Sequence, residues 1–534
     1  MAGMRVLRQD DFTGGLNLRA DQFQLAQNES PRMLNVEIDP RGGVFSRGAM
    51  RSFATAITAT NWSPTRLFPF YADTHYLMLS TGKNGMNTGN VFYSTGGSFT
   101  SLLIPVSEEH GASFAPWGKE LYIATGVDSG PYKWDGTTKT ALTASGGAWQ
   151  NSYTSGLSGV SMPKAKHAVT HAGKLFVANT YEDGAYYPNR IRWSHPNSPG
   201  NWAQQDYIDI NNGASGITGM VVFSGHLVVF KKDSVFSVFG YDSDTFQVVE
   251  ISRNVGTANS HSVAVSERGV YFFSYPDGLL LYNGQSIVDL FEPIRPAIQK
   301  GWINPYALNK VFVSVINRRI WVSVPYSEST APTYPTMVFV YDPSISQRGA
   351  WLMFSSFDSR GISGGCTYID SSGNIKHAVS HPTTPSVLAV DLYGSNYDTV
   401  DGVVEQQFTS RYRTKWLDAG SYSQQKMFRR PDVIVKQNAT ESSLTIKAYG
   451  NYEEADSGEI KQYDVVVPAS GSGMTWGQNL WGADWGSANT GSQIVAGRSI
   501  GLAKSVQLEF IGSPGKSWGV NSYTLKYNPR KVKA

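Results

Sequence analysis

Apolar and polar residues alternate in short stretches along most of the chain. Alternation with a period of two places every second side chain on one face of a β-strand. Each stretch is rich in β-branched or aromatic residues and is bounded by Gly, Asp, Asn or Ser, which is typical of strands joined by turns. The stretches are 76–80, 121–125, 174–178, 227–230, 270–273 and 320–324. Helical periodicity is scarce, so the pattern predicts an all-β fold.

The predicted strands fall into a loose repeat. In each unit, a turn with a small residue and a charge precedes a strand pair, and an aromatic residue followed by a turn often closes the unit. The units lie at 65–105, 108–145, 163–210, 214–252, 258–292, 303–356 and 360–394. Repeated small sheets arranged around an axis form a β-propeller. The repeat therefore predicts a propeller of six or seven blades.

Two segments lie outside this repeat. The beginning of the chain lacks its rhythm, and the end carries longer alternating strands, which predict an antiparallel, jelly-roll-like β-sandwich. We therefore divide the chain into an N-terminal arm at 1–55, a propeller at 56–400 and a C-terminal sandwich at 401–534. The arm is too short and too polar to bury a core of its own. We expect Leu16 and Leu18 to pair into the propeller or the sandwich as a closing strand.

The composition narrows the functional classes. Of 534 residues, 41% are hydrophobic, 13% are aromatic and only 16% are charged, which argues against disorder. The net charge of +3 is too small to indicate nucleic acid as the main partner. The single cysteine, Cys366, excludes an internal disulfide and any cysteine-based zinc site. No apolar run is long enough to predict a membrane span, and the N-terminus lacks an apolar secretion core, so synthesis in a cytoplasm is expected.

The chemistry-bearing residues predict no catalytic, cofactor or metal site. Two histidine pairs have a spacing of four, His167 with His171 and His377 with His381. On a strand, positions four apart are separated by about 13 Å, so the pairs are interpreted as solvated or capping residues rather than zinc ligands. The chain has no nucleophile elbow, P-loop or dinucleotide-binding fingerprint. The sequence therefore indicates a protein that is not an enzyme.

Three Trp-Gly dipeptides lie close together near the C-terminus, at Trp476, Trp481 and Trp485. A loop that exposed three indoles to water would form an unusual apolar patch. The rings are therefore expected either to fold back on their own sandwich or to dock on an adjacent subunit, since Trp is favoured at interfaces. The sequence leaves both alternatives open.

The N-terminal arm carries a recognisable signature. Asp-Phe-Thr-Gly-Gly-Leu-Asn-Leu at 11–18, Asn-Val-Glu-Ile-Asp-Pro-Arg-Gly-Gly at 35–43 and Phe-Ser-Arg-Gly at 45–48 resemble the N-terminal signature of tailed-bacteriophage tail propeller proteins, the nozzle-type and minor tail proteins. Further runs with a similar look are 189–202, the Trp-Gly run 476–486 and 508–527. The resemblance spans most of the chain, although its motifs are short and structural.

The resemblance implies a structural virion protein, made in the host cytoplasm and located in a phage tail. It implies a homo-oligomeric, nozzle-like ring, with a hexamer favoured, that contacts neighbouring tail proteins and guides DNA without binding it tightly. Phe12 and Arg47 of the signature join Trp476, Trp481 and Trp485 as candidate interface residues. Two alternatives remain: a tail-tip module that binds a host-surface glycan, and a polysaccharide-degrading propeller enzyme.

Overall fold

The structure is a computed structural model in which strands predominate. It describes residues 4–530 except 20, 22–23, 54–56, 58–63, 144–148, 150–160, 213–214, 242–243, 356–359, 392–396, 401–403, 437–441, 454–457, 468–491 and 497. Helices in the described part are limited to Ser260–Ser262, Glu292–Ile294, Pro296–Gln299 and Pro305–Lys310. None of these has the length or apolar character that crossing a membrane requires. The all-β prediction is confirmed.

Seven four-stranded antiparallel sheets occupy most of the part of the chain that the structure describes, and we number them sheets 1 to 7. Sheet 1 contains Pro64–Tyr71, His75–Thr81, Val91–Ser94 and Thr100–Ser101. Sheet 2 contains Ser113–Trp117, Glu120–Ala124, Tyr132–Trp134 and Lys139–Ala141. Sheet 3 contains Lys164–His171, Lys174–Glu182, Ala185–Trp193 and Tyr207–Asp209. In each of these sheets every strand pairs with the next one along the chain.

The remaining four sheets follow the same plan. Sheet 4 contains Gly219–Phe223, His226–Phe230, Val235–Phe239 and Gln247–Ser252. Sheet 5 contains Val263–Ser266, Gly269–Ser274, Gly278–Tyr282 and Ile287–Asp289. Sheet 6 contains Phe312–Ile316, Arg319–Val324, Met337–Asp342 and Ala350–Phe354. Sheet 7 contains Gly365–Ile369, Ile375–Ser380, Val387–Val390 and, from the arm, Met50–Ser52.

The first strands of the seven sheets follow one another around a closed ring. The first strand of sheet 2 contacts that of sheet 3, and the contacts continue in order through sheets 4, 5, 6 and 7 to the first strand of sheet 1. Between sheets 1 and 2, Phe68 stacks on Phe114 with ring centroids 5.5 Å apart. Repeated four-stranded antiparallel sheets in this arrangement are consistent with propeller blades.

The strand that completes sheet 7 differs from the predicted one. Met50–Ser52 pairs with Val387–Val390, so this part of the arm joins the end of the ring to its beginning. The predicted closing segment around Leu16 instead forms a short parallel pair with Glu29–Ser30. Gly15 has a positive φ of 68°, and a Cβ there would lie 2.7 Å from the carbonyl oxygen of Trp351. The Gly15 segment therefore packs against the edge of sheet 6 through its backbone and adds no strand to it.

Among the described residues, two larger antiparallel sheets combine strands from the end of the chain with strands from the arm. Sheet 8 is ordered Ser492–Ala496, Lys426–Lys436, Gly519–Pro529, Val44–Ser46 and Val36–Ile38, with Arg5–Gln9 and Gly501–Ala503 as additional strands. Sheet 9 is ordered Arg32–Leu34, Ser410–Arg413, Val506–Gly512, Ser442–Gly450 and Glu459–Val467. A separate two-stranded pair joins Tyr397–Val400 to Val404–Gln407.

Sheets 8 and 9 share one hydrophobic cluster. Phe510 of sheet 9 lies 5.8 Å, between ring centroids, from Tyr523 of sheet 8. The same cluster continues into sheets 5 and 6 of the ring, where Phe273 and Trp321 belong to it. The arm contributes strands to sheets 7, 8 and 9. The boundaries at 55 and 400 stay predictions.

Candidate functional site

Arg47, a predicted interface residue, lies inside the molecule. Its side chain is 2% exposed and forms an ion pair with Asp398, with Nη2 and Oδ2 2.6 Å apart. Nε donates to Asn35 Oδ1 at 2.9 Å, and the two terminal nitrogens also donate to the carbonyl oxygens of Gly48 and Ser355 at 2.8 Å. With the second Asp398 contact, at 3.0 Å, all five guanidinium N–H groups have acceptors. The Arg47 side chain therefore lies in a buried junction where all its donors have acceptors, and it is not on the described surface.

Asn35 links the same junction to the ring and to sheet 9. Its φ is 53°, a left-handed conformation that Asn tolerates better than most residues. Its Oδ1 accepts from the backbone N–H of Ser355 at 2.8 Å, and its Nδ2 donates to the carbonyl of Thr409 at 2.9 Å. Asp398 accepts from the backbone N–H of Met50 at 2.9 Å. The signature residues of the arm therefore hold the arm, the ring and the C-terminal sheets together.

Phe12, the second predicted interface residue of the arm, is also wholly buried. Its ring meets Tyr412 edge to face with centroids 5.3 Å apart, and Tyr523 lies 6.3 Å away. The interface prediction for Phe12 and Arg47 is therefore wrong for the described molecule, because both side chains are used within the chain. The polar residues of the signature are likewise engaged internally, since Asn17 Nδ2 donates to Glu29 Oε1 at 2.9 Å.

The three predicted interface tryptophans, Trp476, Trp481 and Trp485, lie outside the described residues. The strands on either side of them are described. Glu459–Val467 is the outer strand of sheet 9 and Ser492–Ala496 the outer strand of sheet 8, and the two strands contact each other. Val466 and Ile494 on these strands are 57% and 67% exposed. We call these two strands the paired edge; outer strands with exposed apolar side chains are suited to contact with another chain.

A second feature, which the sequence pattern did not identify, is a cavity of about 350 Å³ where first strands of the ring converge. We call it the axial cavity. Its lining comes from sheets 1, 5, 6 and 7 and from the residues beside them: Arg66, Leu67, Phe68, Ser260, His261, Val263, Ala264, Val265, Phe312, Val313, Ser314, Val315, Gly364 and Gly365. Arg66 is the one charged residue among these described residues. An adjoining cavity of about 430 Å³ shares Ser260 and contains His110 and His167.

Three histidines near the axial cavity are held neutral at neutral pH. Burial lowers the pKa of His110 to about 4 and that of His167 to about 3, and it lowers the pKa of His261 well below its ordinary value; nearby Arg66 acts in the same direction on each. His167 Nε2 lies 3.2 Å from the carbonyl oxygen of Ile217, and His261 Nε2 contacts that of His110. A neutral Nε2–H that donates to a carbonyl fixes the tautomer and leaves Nδ1 as an acceptor.

The four histidines of the two sequence pairs are less exposed than expected. His167, His171, His377 and His381 are all buried rather than solvated. His381 Nδ1 accepts from the backbone N–H of Thr384 at 3.1 Å, which is a capping role. Within the described ranges, no three His, Cys, Asp or Glu side chains are grouped so that they could hold a metal ion.

Comparison with known proteins gives a likeness to solved structures alone. No protein-family model matches the chain, and no curated protein matches it. Among solved structures, it is similar to the crystal structure of the computationally designed Ika8 protein, with 9% sequence identity and a TM-score of 0.34. That match covers 67% of this chain and 98% of the designed protein.

Proposed function

We propose that this chain is a structural subunit of a bacteriophage tail. In this proposal the seven ring sheets are the blades of a seven-bladed propeller, and sheets 8 and 9 form a sandwich beside it. Copies of the chain assemble into a nozzle-like ring of six that extends the tail and guides DNA during ejection. The protein is made in the host cytoplasm and functions in the virion.

The use of the signature residues carries this proposal. The residues by which the arm resembles phage tail propeller proteins include Phe12, Asn35 and Arg47, and all three are buried at the junction of arm, ring and C-terminal sheets. Residues that fix a junction of this kind serve a rigid scaffold. Scaffold rigidity is what a load-transmitting ring of subunits requires.

The paired edge is the proposed contact between subunits. A cyclic ring needs heterologous contacts, in which one patch meets a different patch on the next copy. Val466 on Glu459–Val467 and Ile494 on Ser492–Ala496 have exposed side chains, which a neighbouring copy can contact. Contact with DNA is weak and depends on salt, because a net charge of +3 gives few phosphate contacts.

Mass photometry of the purified full chain, with Ile494→Asp and Ile375→Asp as matched variants, tests the proposal. The two isoleucines are equally exposed, at 67% and 68%, but Ile375 lies on sheet 7, away from the paired edge. We expect six-subunit particles for the wild-type chain and Ile375→Asp, and monomers for Ile494→Asp with an unchanged circular dichroism spectrum. Rings formed by Ile494→Asp would exclude the paired edge. A wild-type chain that stays monomeric and binds host cells would instead favour the tail-tip alternative.

A further inference from the structure

Two segments that are distant in sequence meet beside the axial cavity. Residues 107–112 lead into sheet 2, and residues 259–262 lead into sheet 5. Nε2 of His261 contacts the carbonyl oxygen of His110, and the two rings lie 5.7 Å apart between centroids. Asn259 positions His261, because its Oδ1 accepts from the backbone N–H of His261 at 2.7 Å. The contact therefore joins parts of the ring that do not belong to neighbouring sheets.

His167 belongs to the same cluster and comes from the first strand of sheet 3. Its Nε2 lies 3.2 Å from the carbonyl oxygen of Ile217, which also accepts from Asn179 Nδ2 at 2.9 Å. His110 and His167 both line the adjoining cavity of about 430 Å³. We call His110, His167 and His261 the histidine latch. Its contacts connect sheet 3 with the segments that lead into sheets 2, 4 and 5.

The charges around the histidine latch disfavour additional protons. The ionisable side chains that face it from the surrounding segments are Arg66, Glu108, Glu109, Lys166, Tyr186, Lys232 and Lys310. The two carboxylates are engaged with Lys166 and Lys310, at 3.1 and 2.6 Å. Burial is the main cause that lowers the pKa of each histidine, and Arg66 acts in the same direction. A proton taken up by the latch therefore adds charge at a poorly hydrated site beside a fixed positive charge.

We propose that the histidine latch is an acid-sensitive switch, in which proton uptake separates residues 259–262 from residues 107–112 while the seven sheets stay folded. Protonation converts Nδ1 from an acceptor into a donor and places a charge beside the other two rings. Neighbouring sheets pack through hydrophobic clusters that do not include the latch. Between sheets 4 and 5, for example, Phe230 meets Phe272 at 5.1 Å. This switch is independent of the proposed role in a tail.

The sign and the steepness of the switch follow from linkage. In the closed latch the pKa of His110 is lowered to about 4 and that of His167 to about 3, against about 6.5 for a solvated histidine. The closed latch is therefore most stable above about pH 6.5, and it loses stability as the pH falls towards the closed-state values. One histidine raises the equilibrium constant for opening by at most about tenfold per pH unit, and three raise it by at most about a thousandfold.

The test is hydrogen exchange of the full chain from pH 7 to pH 4, with intrinsic rates corrected for pH, in peptides that cover residues 107–112 and 259–262. Cys366, which is buried in sheet 7, reports on packing of the ring through its labelling by a disulfide reagent that reacts in acid. The variant is His261→Gln, whose amide keeps a donor but does not titrate. The matched control is His75→Gln, on sheet 1 and outside the latch.

We expect exchange in the two segments to rise by more than about tenfold per pH unit below about pH 6.5, reversibly, while Cys366 stays unlabelled. His261→Gln should reduce this steepness by up to about tenfold per pH unit, whereas His75→Gln should match the wild-type chain. A wild-type steepness of about tenfold per pH unit or less would overturn the proposal, and so would an unchanged steepness in His261→Gln.

Cys366 separates the switch from acid unfolding. Labelling of Cys366 with the same pH dependence as exchange in the two segments would also overturn the proposal, because it would show that the ring unfolds as a whole. If His261→Gln does not fold, His167→Gln takes its place. If neither variant folds, the wild-type steepness and the labelling of Cys366 decide.

Discussion

The ring and the C-terminal sheets are built in opposite ways from the same chain. Sheets 1 to 6 are assembled from consecutive strands, and sheet 7 departs from this only in its strand from the arm, so most pairings in the ring join residues that are near in sequence. In sheet 8, Arg5 pairs with Tyr527 and Val44 pairs with Val520. Local pairing closes short loops at low entropic cost, whereas pairing across the whole chain does not. We therefore expect substitutions in the arm to affect residues that are far away in sequence, more than substitutions in the ring do.

The buried ion pair of Arg47 and Asp398 gives the largest expected effect. Asp398→Ala leaves the Arg47 charge uncompensated at a site where the two side chains are 2% and 0% exposed. Removing one partner of a buried pair costs about 3–5 kcal/mol of unfolding free energy. We expect the loss in urea denaturation, with faster hydrogen exchange in both the ring and sheet 8. An effect confined to the 397–407 strand pair would contradict the junction role of Arg47.

Core substitutions in the arm and in the ring should lower the free energy of unfolding by similar amounts. They should differ in which parts of the chain show faster hydrogen exchange. Phe12→Ala in the arm and Phe230→Ala in sheet 4 each remove a fully buried ring, at a cost of about 3–4 kcal/mol. Hydrogen exchange should rise after Phe230→Ala in sheets 4 and 5, where Phe230 meets Phe272 at 5.1 Å. After Phe12→Ala it should rise around Tyr412 and Tyr523, far away in sequence. If hydrogen exchange rose only close in sequence to the substituted residue in both variants, the contrast between the two regions would be contradicted.

Acid should weaken the ring before it weakens the C-terminal sheets, because all nine histidines precede residue 401. The folded-state pKa of His167 is lowered to about 3 by burial, so its neutral form is favoured in the folded chain. Its contribution to stability is complete above the unfolded pKa, near 6.5, and is lost as pH falls towards the folded value. Each such histidine costs about 1.4 kcal/mol per pH unit in this window.

Hydrogen exchange measured from pH 7 to pH 4, with intrinsic exchange rates corrected for pH, checks this order. We expect sheet 3, which contains His167, and the segments just before sheets 2 and 5, where His110 and His261 lie, to lose protection first. We also expect His167→Gln to reduce the pH dependence. Loss of protection in sheets 8 and 9 at higher pH than in the ring would contradict the prediction.

Breaking an exposed ion pair of the arm should have the smallest effect on stability. It is the control for the Asp398→Ala substitution. Arg8 and Asp10 lie 3.1 Å apart with side chains 66% and 59% exposed. Surface pairs of this kind contribute at most about 1 kcal/mol. Asp10→Ala should therefore leave the urea midpoint nearly unchanged. A loss as large as that of Asp398→Ala would show that position in the arm, rather than burial of the charge, sets the effect.

The sequence predicted the strand pairs that form between neighbouring segments, but few of the contacts between segments that are far apart in sequence. Strand pairs such as 121–125 and 320–324 were visible because alternation and turn residues are local signals. The role of Met50–Ser52 in completing sheet 7 was not visible, since a three-residue strand has no periodicity to detect. The Arg47 signature was located correctly but interpreted as an interface, because a motif does not reveal that Asp398, 351 residues away, satisfies it.

The axial cavity could not have been predicted from the pattern. Arg66 is an ordinary residue of a predicted blade unit, and His110 and His261 lie in different units. Their proximity arises from closure of the ring, which brings first strands of successive sheets together. A single charged residue in an otherwise apolar alternating strand is the only local signal that Arg66 offers.

The proposed structural role in a phage tail is tested most directly by locating the protein in purified particles of a phage whose genome is shown to encode this sequence. Cryo-electron microscopy of those particles, with antibody labelling raised against the recombinant chain, gives both position and copy number. The account predicts label on the tail only, and tail density that fits six copies of the seven-sheet ring with sheets 8 and 9 beside it. Particles that are complete, infective and free of this chain would contradict it.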